Sequence, residues 1–86
     1  MGRVAVTFRI MPEGSEVDVS GLESSVRGVL GPSVRGVAVR PVAFGLKALE
    51  ATVVMDDAAG QAERVEERLR GIAGVGEVET LDVSLI

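Results

Sequence analysis

An α+β domain, built as a four-stranded antiparallel sheet with two helices on one face, is what this sequence predicts. Three observations carry that expectation. Apolar and polar residues alternate from Arg3 to Met11, the period of a half-buried strand. One stretch in each half of the chain places apolar residues at helical spacing. Between the second and third extended segments lies little more than Phe44-Gly45, too short for a crossover helix, so these two strands must form a hairpin.

In the first strand Val4, Val6, Phe8 and Ile10 share one side, and Arg3, Ala5, Thr7, Arg9 and Met11 the other. Pro12-Glu13-Gly14 ends it. A helix then opens at Asp18 or Ser20: Ser20 and Glu23 have capping-box spacing, whereas Asp18 would cap it earlier. Leu22, Val26, Val29 and Leu30 line one helical face, Glu23 and Arg27 form a favourable pair on the wet side, and Gly31-Pro32 is the stop. Val34 to Val42 reads as a second strand, in which Pro41 marks an edge or a strand end because proline donates nothing to a ladder. The third strand, Leu46 to Met55, has Leu49, Ala51, Val53 and Met55 on one side, and Asp56 through Gly60 form a polar loop.

The second helix is expected from Gly60 or Ala62 to Ala73, with Val65, Leu69 and Ile72 as its apolar face and Gly74 as its stop. Its acids come early (Glu63, Glu66, Glu67) and its arginines late (Arg68, Arg70), which suits the helix dipole. A last strand, Glu77 to Ile86, carries Leu81, Val83 and Leu85 on one face. With right-handed crossovers the order β-α-β-β-α-β gives the ferredoxin-like sandwich. The length of 86 residues suits a single domain, residues 1–86.

Composition narrows the function. A hydrophobic fraction of 47% beside 26% charged residues is that of a packed globule, and the abundance of valine favours sheet. There is no cysteine, hence no disulfide or thiolate–metal site, and no histidine, which removes the commonest general base and transition-metal ligand. Catalytic residues, a metal site and a cofactor are therefore not expected. A formal charge of −4 argues against direct nucleic-acid binding, where phosphate contacts supply most of the affinity. No apolar run approaches the ~18 residues of a membrane span, and Met1-Gly2-Arg3 leads straight into the first strand without a signal-peptide core. A cytoplasmic location follows as the expectation.

Three local patterns have ordinary explanations. Asp56-Asp57 could offer oxygens to Mg²⁺, but aspartates favour turns and this pair starts the loop before the second helix. The glycines of Gly71-Ile72-Ala73-Gly74-Val75-Gly76 end a helix, whereas a phosphate cradle must open one. RNA-binding domains with this strand order stack bases on sheet aromatics, yet the first strand offers only Phe8, in the register of the core. Phe44 is the unusual residue. It is one of two aromatics in the chain and lies between a proline and a glycine at the hairpin connection, where it either projects as an interface anchor or folds back over the core edge.

Pro41-Val42-Ala43-Phe44-Gly45-Leu46-Lys47-Ala48-Leu49 resembles a segment of the elongation factor 1-beta family. Val53-Val54-Met55-Asp56-Asp57-Ala58-Ala59-Gly60 is similar to the family's following strand and loop. Val6-Thr7-Phe8-Arg9-Ile10-Met11-Pro12-Glu13 resembles the first strand of archaeal members, and Glu66-Glu67-Arg68-Leu69, Gly71-Ile72, Gly74-Val75 and Asp82-Val83 fall where those members have similar pairs. The resemblance spans the whole chain, and archaeal members consist of this domain alone.

The resemblance implies a guanine nucleotide exchange factor for elongation factor 1-alpha, with no covalent chemistry, monomeric when free, and partner contacts at Phe44, Gly45, Leu46 and Lys47 and at the tail Ser84, Leu85 and Ile86. Two departures matter. Eukaryotic members have a lysine next to the last residue that reaches the partner's Mg²⁺ site, whereas no Lys or Arg follows Arg70 here. The tail should then act by shape rather than charge. Ala62 stands where the family has a helix-capping threonine, which leaves the second helix start open. Two other classes use the same fold. A ligand-sensing or protein-interaction module would normally dimerise around its ligand, and an acylphosphatase-like enzyme would need an arginine near Met11-Pro12-Glu13-Gly14, which has none.

Overall fold

The computed structural model describes residues 2–86, with β1 (Arg3–Pro12), α1 (Val19–Leu30), β2 (Val34–Pro41), β3 (Lys47–Asp56), α2 (Gln61–Arg70) and β4 (Val75–Leu85). The strands form one antiparallel sheet in the order β2-β3-β1-β4. This is the expected ferredoxin-like arrangement.

The core follows from the alternation in β1 and β3. Their register sets Val4 opposite Met55, Val6 opposite Val53, Phe8 opposite Ala51 and Ile10 opposite Leu49, and all eight side chains are buried. Directly opposed residues point to the same face. The helices cover that face with Leu22, Val26 and Leu30 from α1 and Val65 and Leu69 from α2. Phe8 is fully buried there and offers no surface for base stacking. Among the described residues no polar or charged side chain is buried.

Asp18 caps α1: its Oδ1 accepts the Ser20 backbone N–H at 3.2 Å, so the helix opens at Val19. The expected Glu23–Arg27 pair forms at 3.1 Å, and Gly31 closes the helix with φ 61°. β2 ends at Pro41, on a sheet edge, so proline's missing donor costs the ladder nothing further along.

α2 is shorter than its periodicity suggests. It begins after Gly60, whose φ of 78° starts the helix with no side-chain cap, and ends at Arg70 instead of Ala73. The Gly71 N–H bonds back to the Glu67 and Arg68 carbonyls, and successive turns follow from Ile72 N–H to Leu69 O and from Val75 N–H to Ile72 O. Ile72 therefore packs against the core from a turn and not from the helix. With Gly74 at φ 93°, the chain enters β4 at Val75, two residues before the expected Glu77.

β4 also departs from its expected pattern. Thr7 pairs with Asp82 and Phe8 with Thr80, leaving Leu81 as the extra residue of a bulge. The bulge takes Leu81 out of the alternation, whereas Val83 and Leu85, opposite Val6 and Val4, keep a common face on the helix side. The strand's buried residues are Val75 and Val78, and all three expected ones are exposed.

Val65 and Leu69 are the buried side chains of α2, so Leu69 is its main attachment to the sheet. Leu69→Ala should lower the unfolding free energy by about 2–5 kcal/mol, a large share of the total for so small a domain. Urea titration followed by circular dichroism measures this, and a loss below about 1 kcal/mol would mean that α2 is held by something else.

Candidate functional site

The β2–β3 hairpin closes in a tight turn. Beyond the last ladder pair, Pro41 and Lys47, the Val42 N–H donates to Leu46 O at 2.9 Å and the Leu46 N–H donates to Ala43 O at 3.3 Å. The two residues inside are Phe44, at φ 63° and ψ 29°, and Gly45, at φ 74°. Positive φ at both central positions makes this a type I′ turn, whose twist matches that of the flanking strands. Such turns favour Asn, Asp or Gly at the first central position.

Phe44 is the one non-glycine residue with positive φ among the described residues. It is also 97% exposed, which settles the sequence-level alternative: the ring projects and does not fold over the core. A left-handed backbone costs an L-residue roughly 1–2 kcal/mol. No burial offsets that cost here. A bulky aromatic held in a strained, fully solvated pose has no use for folding, and strain of this kind gathers at functional sites.

Gly45, Leu46 and Lys47 follow Phe44 in the chain and line a groove of about 400 Å³ whose other lining residues include Val17, Asp18 and Val19 at the start of α1. Lys47 takes part in no salt bridge among the described residues, whereas nearby Arg40 is paired with Glu50 at 3.5 Å. The hairpin thus presents an aromatic ring, a half-buried leucine and a free ammonium together.

The tail lies elsewhere. The Ile86 N–H donates to Arg3 O at 3.1 Å, which fixes the last residue beside the start of β1. The hairpin extends past the other end of β1, near Pro12. At ~3.3 Å per residue the two ends of β1 are about 30 Å apart, within a molecule 41 Å long. The hairpin also belongs to the β2 side of the sheet and the tail to the β4 edge. The structure brings Phe44, Gly45, Leu46 and Lys47 together and keeps them away from Ser84, Leu85 and Ile86.

Within the tail, Val83 (57% exposed), Leu85 (75%) and Ile86 (71%) are exposed apolar side chains. Val83 and Leu85 lie opposite Val6 and Val4, on the helix side of the sheet. Ser84 lies opposite Ala5, on the other face, and its hydroxyl donates to Asp82 Oδ2 at 2.9 Å. Val83 is a candidate residue that sequence reasoning left out: it lies just before the Ser84–Ile86 tail, and its apolar character suits a buried strand position as well as an exposed one. Element length could have revealed it. A helix the length of α2 spans about 15 Å and a strand the length of β4 about 36 Å, so one cannot cover the other.

The open face of the sheet carries Thr7 hydrogen-bonded to Thr52 and Arg9 paired with Glu79 at 2.9 Å, an internally satisfied polar surface. Asp56 and Asp57 form a turn in which the Asp57 N–H donates to Gly2 O and the Ala58 N–H to Asp56 O. Among the described residues, no three acidic, histidine or cysteine side chains come together as metal ligands, and no helix is long and apolar enough to cross a membrane.

Comparison with known proteins bears on the fold and the family. Among solved structures, the ACT domain of a GTP pyrophosphokinase from Chlorobium tepidum superposes with a TM-score of 0.68 at 20% identity, over 95% of this chain and 90% of that one. The C-terminal domain of the MgtC protein from Mycobacterium tuberculosis gives 0.61 at 20% identity, over 93% and 87%. At such identities the likeness establishes the fold alone. Sequence relatives are more specific. A protein of Methanococcoides burtonii named elongation factor 1-beta is 42% identical, over 96% of both chains. One of the same name from Methanoculleus marisnigri is 41% identical over the full length of both. The family model for the EF-1 guanine nucleotide exchange domain matches residues 5–86, and the chain belongs to that family.

Proposed function

We propose that this protein accelerates GDP release from elongation factor 1-alpha by pressing on it with the two ends of a rigid sheet. The observation that carries this reading is Phe44, strained at positive φ and 97% exposed at the tip of the hairpin. Leu46 and Lys47 extend the contact around the ring, Gly45 closes the turn that carries it, and Ser84, Leu85 and Ile86 supply a second contact at the far end of the sheet.

An exchange factor makes no covalent bond, and this chain, without His or Cys, has no need of one. Its task is to bind the partner more tightly when nucleotide is absent. By linkage, the factor by which it weakens GDP equals the factor by which GDP weakens its own binding. Contacts about 30 Å apart suit that task, because a rigid body touching two separated regions favours one relative placement of them. The partner conformation that fits both ends is then the one that holds nucleotide poorly. Residues 71–86 contain no Lys or Arg, so the contacts of Ser84, Leu85 and Ile86 act by shape and apolar surface and not by charge. The protein works as a monomer in the cytoplasm, without direct contact to nucleic acid or membrane, and residues 1–86 act as one domain.

Release of fluorescent GDP from purified elongation factor 1-alpha, with and without the protein, is the direct test; no acceleration would overturn the reading. Phe44→Ala should reduce kcat/KM for release about 30-fold, the effect of losing a hot-spot side chain worth about 2 kcal/mol, and an unchanged rate would remove Phe44 from the interface. Phe44→Asn should impair exchange to a similar degree while raising the unfolding free energy by about 1 kcal/mol, because Asn tolerates the left-handed turn; a lowered melting temperature would mean that the ring supports the fold. Leu85→Ser should cost about tenfold in kcat/KM if its side chain is buried by the partner. A wild-type rate for Leu85→Ser would confine the contact to the hairpin.

A further inference from the structure

We infer that Gly45 is a positioning residue for exchange: it makes no essential contact of its own and sets, through its left-handed backbone, the projecting pose of Phe44. The inference rests on the reading of Phe44 as the partner anchor and adds the device that holds the anchor in place.

Gly45 occupies the second central position of the type I′ turn at φ 74°. A Cβ built there meets no atom within 4 Å beyond its two chain neighbours, Phe44 and Leu46. Packing therefore does not require glycine at this position, and the requirement is conformational. A change to negative φ at residue 45 would break the turn. The Leu46 N–H to Ala43 O bond at 3.3 Å and the Val42 N–H to Leu46 O bond at 2.9 Å depend on both central residues keeping that geometry. Phe44, which pays a conformational cost at φ 63°, would then have no reason to stay left-handed and would relax into another loop pose. The anchor's direction is thus set by its neighbour.

Two proteins that differ only in chirality at one carbon test this. Gly45→Ala adds a methyl group that disfavours positive φ, while the same position built with D-alanine by chemical synthesis adds a methyl group that favours it. Assayed by fluorescent-GDP release from elongation factor 1-alpha, Gly45→Ala should raise KM roughly tenfold with little change in kcat, because only the fraction of molecules in the projecting pose can bind. The D-alanine protein should stay within about twofold of the parent, a size of effect far below that conformational factor. The double variant Phe44→Ala with Gly45→Ala should be no worse than Phe44→Ala alone, as expected when two residues act through one contact.

Equal loss in the L- and D-alanine proteins would show that the partner needs the bare backbone of Gly45, which overturns the inference. An unchanged KM for Gly45→Ala would overturn it as well. Full activity of Phe44→Ala would instead remove the reading of Phe44 beneath it, so the two failures are distinct. Circular dichroism and melting curves on every protein keep loss of fold apart from loss of pose.

Discussion

The pairing of β1 with β3 is the constraint on which the rest depends. Four apolar residues of one strand face four of the other, and both helices close over that double row. Because side chains alternate with a period of two, a slip of one residue would turn Val4, Val6, Phe8 and Ile10 out to water. Burying a side chain of this size contributes about 1.5–3 kcal/mol. Such a slip is therefore beyond what so small a fold can tolerate. Register, in turn, decides where everything else lies. It sets the hairpin beyond one end of β1 and the last residue beside the other.

The candidate surfaces occupy the places where this core stops. Helices rise less than half as far per residue as strands, so helices this short cannot cover strands of this length. The far end of β4 is left with its apolar side chains uncovered, and the bulge at Leu81 marks where the strand's packing role ends. At the other end the hairpin reaches past the sheet, and the residue at its tip lies outside the pattern that organises the core. Arg68 of α2 donates to Val29 O, tying the two helices together away from both ends. The middle is made rigid and the extremities are made available.

Most of this was legible in the sequence, and the limits have physical causes. Alternation in β1 and β3, helical spacing in Leu22, Val26 and Leu30, and the lack of room for a helix at Phe44-Gly45 fixed the architecture, since each reflects a period that only one element satisfies. Element ends were harder. Ile72 continues the helical period of Val65 and Leu69, yet glycines at 71 and 74 turn the chain first, so an apolar residue was buried from a turn. In β4 a bulge separates Val78 from Val83, and no period can be read across an inserted residue. Phe44 was conspicuous as a lone aromatic, but composition cannot say whether such a ring is buried or exposed. Its backbone angle could be known only from the fold.

That angle bears on how an exchange factor can act on its partner through binding. Its effect on a bound nucleotide must come from binding energy alone, and any energy consumed in ordering its own loop is lost to the partner's distortion. A hairpin whose tip is already bent, with two main-chain hydrogen bonds closing it, would meet a partner, under the proposed contact, with little ordering left to do. The strain at Phe44 is present before the encounter and weighs on the fold of the free protein. It need not be supplied at the moment of contact. The buried rows of β1 and β3 carry that burden, which is why a core with no buried polar side chain among its described residues and a strained, solvated ring at its tip belong to one design.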